Sequence, residues 1–182
     1  LYLLMFAIGF ESGEFKKIVV PNNFPRIVKD IADRYGGDIF ITKTNLADIM
    51  NTMIEKDCLN QYIFNFDGIC ASGKIIDFLS AKSKRLSQLA DELPEYYFIQ
   101  KQIPCDWEDK GKIVRLLIEN NEEEMEMFEG VRLINDKGWV LIIPDEEKPA
   151  FNLYAEGSSE ELAEELTSFY GEKIKKLLKG ST

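Results

Sequence analysis

The sequence contains no histidine among its 182 residues. Histidine is the commonest general acid or base at neutral pH and the commonest metal ligand, so its absence excludes Ser–His and Cys–His catalytic sites and the zinc sites that use it. The three cysteines, Cys58, Cys70 and Cys105, are widely spaced and form no C-x-x-C pair. Neither a disulfide framework nor a zinc knuckle is indicated, and we expect a reducing, cytoplasmic setting.

Basic residues and long apolar runs are also scarce. The chain has 22 Lys and Arg against 32 Asp and Glu, a net charge of -10, which opposes binding to nucleic acid or to an anionic membrane surface. The apolar run at 1–10 is shorter than the roughly 20 residues that span a bilayer, and it lacks the basic start of a signal peptide. We therefore expect no nucleic-acid or membrane partner, and we interpret this run as a core helix. It has no initiating Met and no capping residue, so we expect the chain to be a piece of a larger protein.

The first half of the sequence alternates short β-branched runs with amphipathic segments. We predict strands at 17–21, 38–42 and 62–66, each followed by a helix. Asn45 is expected to cap the second of these helices, and Asp67 stands at the start of the third. Alternating strands and helices predict a parallel sheet with right-handed crossovers.

The pattern changes after residue 99, where we place a domain boundary. A short helix at 85–94 and a strand-like run at 96–99 precede it. In the second half we predict a helix at 112–120, an acidic turn at 122–126, and strands at 131–133, 139–143 and 151–154. A hairpin turn at 135–138 joins the first two of these strands, and a capping box of Ser158 and Glu161 marks the start of the last helix. The predicted fold class is α/β plus α+β: a parallel βαβ sheet domain at 1–99, then a small antiparallel sheet-and-helix domain at 100–182.

Several short motifs follow one another in a fixed order along the chain. They are Asp67-Gly68-Ile69 before a long helix, Leu86-Ser87-Gln88-Leu89 and then Leu93-Pro94-Glu95-Tyr96, Glu129-Gly130-Val131-Arg132, Gly138-Trp139-Val140-Leu141-Ile142-Ile143-Pro144, and Tyr154-Ala155-Glu156-Gly157. In this order and spacing they resemble the alpha-D-phosphohexomutase superfamily, which includes phosphomannomutases and phosphoglucomutases. The resemblance covers essentially the whole chain and implies the third domain of the family followed by its fourth.

The resemblance also implies where a phosphosugar would be held. Active members carry an R-P-S-G-T-E-P loop that grips the substrate phosphate, and the matching residues here are Ile143, Pro144, Asp145, Glu146, Glu147, Lys148 and Pro149. The charge-assisted hydrogen bonds of the arginine, each about 1.5–3 kcal/mol, are lost at Ile143. Three carboxylates and one lysine leave residues 145–148 with two net negative charges, which should repel phosphate. A further family arginine is replaced by Asn152.

The third domain of the family supplies a G-E-x-S-G-H loop that reads the sugar hydroxyls. Only residues 58–66 occupy that interval here, without the glycines, the glutamate or the histidine. The resemblance therefore implies a missing sugar loop. The phosphoserine and the aspartate-rich magnesium loop of the family belong to domains that would precede Leu1, so no cofactor is expected in this part and magnesium only in a parent protein.

Individual residues leave alternatives open. Asp145, Glu146 and Glu147 could bind a hard cation or form a solvated turn, and the same holds for Glu122, Glu123 and Glu124. Asp67 could contact a ligand or cap a helix. Cys70 and Cys105 are interpreted as buried small hydrophobes rather than nucleophiles, because nothing is present to activate them. Trp107 and Trp139 are expected in the core.

Three functional hypotheses follow from these observations. The first is a non-catalytic regulatory or structural part of a sugar-nucleotide pyrophosphorylase fusion, such as a mannose-1-phosphate guanylyltransferase. Its partners would be the upstream domains of the same chain, and self-association into a homo-oligomer is left open. The second is a piece of a functioning but diverged phosphomannomutase or phosphoglucomutase. The third is a free-standing interaction module.

Overall fold

The computed structural model describes residues 1–121 and 124–179. The chain divides into two compact units, Leu1–Glu95 and Tyr96–Thr182. The boundary predicted between residues 99 and 100 falls within a strand that begins at Tyr97 and pairs only with strands of the second unit. The predicted fold class is confirmed: a small parallel sheet with helices is followed by a five-stranded antiparallel sheet with helices.

The first unit is built around two parallel strands. Its elements are α1 (Tyr2–Glu11), β1 (Lys17–Pro21), α2 (Ile27–Arg34), β2 (Asp38–Thr42), α3 (Leu46–Glu55), α4 (Leu59–Phe66), α5 (Gly68–Lys82) and α6 (Leu86–Asp91). Strand β1 pairs with β2 in parallel, and α2 is the crossover between them. Ile18 and Val20 of β1 pack into the larger apolar core, while Val19 joins Met53 and Cys58 in a smaller one.

Two local predictions in this unit are confirmed. Helix α1 is a core helix, since Phe6 and Ile8 are each 1% exposed. Asn45 caps α3, because its Oδ1 accepts a hydrogen bond from the backbone N–H of Asp48 at 2.8 Å.

The third predicted strand, at 62–66, is wrong because these residues form the second half of α4. Their aromatic and β-branched side chains favour a strand when considered alone. In the fold, the segment buries Gln61 and Phe64 and half-buries Asn65. Burial at a spacing of three and four residues is that of a helix face, so tertiary packing overrides the local propensity.

The second unit is an antiparallel sheet covered by two helices. Its elements are β3 (Tyr97–Pro104), a 3₁₀ turn (Trp107–Asp109), α7 (Lys110–Glu119), β4 (Glu124–Glu126), β5 (Val131–Asn135), β6 (Gly138–Pro144), β7 (Ala150–Gly157) and α8 (Glu160–Lys179). The strand order is β3-β7-β6-β5-β4. One face forms the main core with α7 and α8, and a smaller apolar cluster on the other face centres on Trp139.

The acidic stretch and the last helix cap differ from prediction. Residues 124–126 of the predicted acidic turn form strand β4, which pairs with β5; Glu122 and Glu123 lie outside the described residues. The cap of α8 is Ser159 rather than Ser158, because the Ser159 Oγ accepts a hydrogen bond from the N–H of Leu162 at 3.2 Å. The backbone N–H of Ser158 instead bonds to the carbonyl of Lys137 in the neighbouring turn.

None of the helices within residues 1–121 and 124–179 has both the length and the apolarity to cross a bilayer.

Candidate functional site

The predicted phosphate loop connects β6 to β7 in the second unit. Ile143 and Pro144 are the last residues of β6, and Ala150 begins β7. Ile143 is only 8% exposed and packs in the cluster around Trp139. The connecting residues Glu146, Glu147, Lys148 and Pro149 are exposed. The seven predicted residues thus form the end of β6 and its connection to β7, and the side chain at position 143 belongs to the core rather than to the loop surface.

The Asp145 carboxylate is the hydrogen-bonding centre of this loop. Its Oδ1 accepts from the backbone N–H groups of Glu147 at 2.8 Å and Lys148 at 2.9 Å. Its Oδ2 accepts from the side-chain amides of Asn152 at 3.0 Å and Gln102 at 3.1 Å. Both oxygens of the carboxylate are thus already occupied by donors of the same unit.

A buried lysine holds the loop from the side of α7. The Nζ of Lys110 donates to the backbone carbonyls of Asp145 at 2.6 Å and Lys148 at 2.5 Å. Lys110 is 7% exposed, and its Nζ lies 3.5 Å from the centroid of the Trp107 ring. The two carbonyls and the ring face compensate part of the cost of burying the ammonium group. The loop backbone is therefore fixed at both ends of its turn.

These hydrogen bonds decide the electrostatics of the loop. The backbone N–H of Glu147 is the main cause that lowers the pKa of Asp145, helped by the Asn152 amide and the N–H of Lys148. Asp145 is therefore held as a carboxylate, yet its lone pairs point at N–H donors. Of the two alternatives for this triplet, the geometry favours the turn over a cation site, because Asp145 is bonded within the unit and Glu146 and Glu147 are exposed to solvent. Within the described residues, no three Asp, Glu or Cys side chains are placed to hold a metal ion.

Sequence reasoning missed two residues of this site. Gln102 lies in β3, 43 positions from Asp145, and reaches it because the register pairs Gln102 with Asn152. No local signal could have identified that contact. Lys110 did leave a signal, since a lysine in the first turn of a helix opposes the helix dipole and needs another reason to be there.

The interval of the expected sugar loop is occupied by a helix. Helix α4 fills residues 59–66, and Asp67 follows it as the N-cap of α5. The Asp67 Oδ1 accepts from the N–H groups of Ile69 at 3.1 Å and Cys70 at 2.9 Å. Asp67 therefore caps the N-terminus of α5.

Two predictions about buried side chains are wrong. Cys70 is exposed at the start of α5, whereas Cys105 is buried as predicted, and burial raises its pKa. Trp139 lies in the core, but Trp107 is 53% exposed. One face of the exposed Trp107 ring contacts the ammonium group of Lys110, which it stabilises.

Comparison with known proteins gives relatives in both sequence and structure. No family model matches the sequence. A phosphoglucomutase/phosphomannomutase of Thermococcus kodakarensis is 25% identical over 167 residues, which cover 85% of this chain and 37% of that protein. A phosphoglucosamine mutase of Methanocaldococcus jannaschii is 32% identical over 104 residues, which cover 55% of this chain and 23% of that protein. The relatives of this chain are phosphohexomutases.

Solved phosphohexomutase structures have the same fold. A phosphoglucomutase/phosphomannomutase family protein of Burkholderia thailandensis matches 96% of this chain and 41% of its own with a TM-score of 0.74 and 17% identity. An N-acetylphosphoglucosamine mutase of Aspergillus fumigatus, in complex with GlcNAc-6P and magnesium, matches 97% of this chain and 43% of its own with a TM-score of 0.63 and 9% identity. The chain thus spans less than half the length of each of these phosphohexomutases.

Proposed function

We propose that this chain is the C-terminal, phosphohexomutase-like part of a larger protein, and that its phosphosugar site is degenerate. The observation that carries the proposal is the Asp145 carboxylate, which accepts hydrogen bonds from the N–H groups of Glu147 and Lys148 within the candidate loop. Loops that bind phosphate direct such N–H groups at the ligand. Here a fixed negative charge of the chain itself occupies them.

The neighbouring positions support the same proposal. Ile143, at the position of the family arginine, has no side-chain donor and packs within the Trp139 cluster. Asn152, at the position of the second arginine, uses its amide to bond Asp145. A phosphate group approaching the loop would meet the carboxylates of Asp145, Glu146 and Glu147 without a guanidinium to offset them.

The proposed role is regulatory or structural within a sugar-nucleotide pyrophosphorylase such as a mannose-1-phosphate guanylyltransferase. The partners would then be the upstream domains of the same chain, and a homo-oligomer is the second arrangement to test. Magnesium would belong to those upstream domains, as the family resemblance implies. No step of a reaction is assigned to this part of the protein.

A ligand titration tests the degenerate site directly. Glucose 1-phosphate, mannose 1-phosphate and glucosamine 6-phosphate are added to the ¹⁵N-labelled chain, and the backbone amide shifts of residues 145–148 are followed by NMR. We expect no saturable change at millimolar ligand. The matched variant D145S/E146G/E147T/K148E restores the family residues within the turn while leaving Ile143 in the core, and it is expected to gain a phosphate-dependent shift. Saturable binding by the unmodified chain would contradict the proposal.

A functioning, diverged mutase is the second candidate, because the relatives named above are themselves mutases. The two candidates differ in what the full-length protein does. Mutase turnover that is lost when residues 145–148 are replaced would favour the enzyme. Nucleotidyl transfer that survives the same replacement, without mutase turnover, would favour the fusion.

A further inference from the structure

The side-chain amide of Gln61 in α4 forms two hydrogen bonds with a single residue of β1. The N–H of Val19 donates to Gln61 Oε1 at 2.7 Å, and Gln61 Nε2 donates to the Val19 carbonyl at 2.6 Å. Gln61 is 1% exposed. A neighbouring strand would use the same two backbone groups of Val19. The Gln61 side chain therefore occupies the place of a third strand.

These groups lie on the edge of β1 that faces away from β2. The Lys16 carbonyl and the Asn22 N–H bond to the β2 side of the sheet. Because alternate residues of a strand direct their N–H and C=O groups to opposite edges, the groups of Lys17, Val19 and Pro21 point outward. An outward edge with free groups is a template for strand pairing.

The outward carbonyls of Lys17 and Pro21 also have partners. The Lys17 carbonyl accepts from the Sγ of Cys58 at 3.8 Å, a weak contact. Pro21 has no N–H, and its carbonyl accepts from the N–H of Phe24 at 3.1 Å. Gln61 thus provides the strongest of the contacts that close this edge.

The helix that carries Gln61 is poorly specified by its own sequence. Helix α4 has eight residues and no side-chain cap, and helices of this length are marginal without tertiary contacts. Residues 62–66 are aromatic, β-branched or asparagine, all of which rank low in helix propensity. The helix also leaves Leu59, Ile63 and Phe66 exposed by 56%, 36% and 40%, at positions i, i+4 and i+7.

We propose that the hydrogen bonds of the Gln61 side chain hold residues 59–66 in the helical conformation. The conformation that they exclude has residues 62–66 paired with β1 as a third strand. Both conformations use the N–H and C=O of Val19, so they exclude each other. The side-chain amide decides between them because it offers these groups partners only while α4 is formed. This is a two-state element built from one segment and one sheet edge.

The test removes the amide while keeping the length of the side chain. Gln61→Met loses both hydrogen bonds but retains high helix propensity, and Gln61→Val also adds strand propensity. We expect the population of extended 62–66 to rise about 5- to 30-fold in the Met variant, and further in the Val variant, as read from ¹³Cα shifts. Asn60→Met is the control, since it removes only the exposed bond to the Glu14 carbonyl and leaves Val19 paired.

Two results would overturn this proposal. In the first, residues 62–66 keep helical ¹³Cα shifts in both variants while the Val19 amide proton exchanges faster with solvent. Gln61 would then only stabilise the fold and would not select between two conformations. The second result is decisive if neither variant folds. Saturation-transfer NMR on the unmodified protein is then used to look for a minor state in which residues 62–66 are extended, and the absence of such a state at or above a population of about 0.1% would overturn the proposal.

Discussion

At the scale of single residues, the Asp145 carboxylate accounts for the shape of the candidate loop. It bonds N–H groups from its own turn and amides from β3 and β7. Lys110 bonds the carbonyls of the same turn from α7. A carboxylate with four donors needs no ligand to complete its hydrogen bonds.

The lowered pKa of Asp145 predicts how the turn responds to pH. Its hydrogen bonds hold the folded-state pKa below the ordinary value of 3.8. The ionised group therefore contributes stability above the unfolded pKa, and this contribution is lost as the pH falls through the folded pKa. Asp145→Ala should be less stable than the unmodified chain at pH 7, and the difference should shrink below about pH 4.

Urea unfolding followed by tryptophan fluorescence at a series of pH values measures this difference. Both tryptophans, Trp107 and Trp139, lie in the second unit together with the loop. Glu146→Ala is the matched control, because it removes a neighbouring exposed carboxylate and none of the hydrogen bonds of Asp145. A stability difference for Asp145→Ala that does not change between pH 7 and pH 3 would show that the ionised Asp145 carboxylate is not the source of that stability.

At the scale of elements, apolar runs and turn residues predicted most of the fold. Helix α1 and strands β1 and β2 were placed by their apolar runs, and the hairpin of β5 and β6 by its turn residues. Helix α4 was missed because its decisive contact is between Gln61 and Val19, 42 positions apart. The candidate loop was located by family motifs, whereas Gln102 was beyond sequence reasoning because only the β3–β7 register brings it there.

The cap of α8 gives an element-scale prediction. The Ser159 hydroxyl accepts a hydrogen bond from the N–H of Leu162. Ser158 donates only its backbone N–H to the Lys137 carbonyl, and a substitution of its side chain leaves that hydrogen bond in place. Ser159→Ala should therefore destabilise the second unit by about 0.5–2 kcal/mol, and Ser158→Ala should have little effect. Urea unfolding read by tryptophan fluorescence distinguishes the two variants. Equal losses, or a larger loss for Ser158→Ala, would return the cap to the capping box of Ser158 and Glu161.

At the scale of the whole molecule, each unit has its own apolar core. The main core of the second unit is formed by β3, β5, β6, β7, α7 and α8, all within that unit. The larger core of the first unit is formed by residues between Leu3 and Leu93. Since the hydrophobic effect scales with apolar area removed from water, a unit that buries its own core retains its main source of stability when it is separated.

We therefore expect residues 96–182 to fold when expressed alone. Trp139 is 2% exposed, so the fragment should show the blue-shifted emission of a buried indole and a single cooperative urea transition. The midpoint should match that of the second unit in the intact chain. The Trp107→Phe variant leaves Trp139 as the sole reporter and removes the signal of the exposed ring. Emission typical of a solvated indole, without a cooperative transition, would mean that the second unit depends on residues 1–95 for its fold.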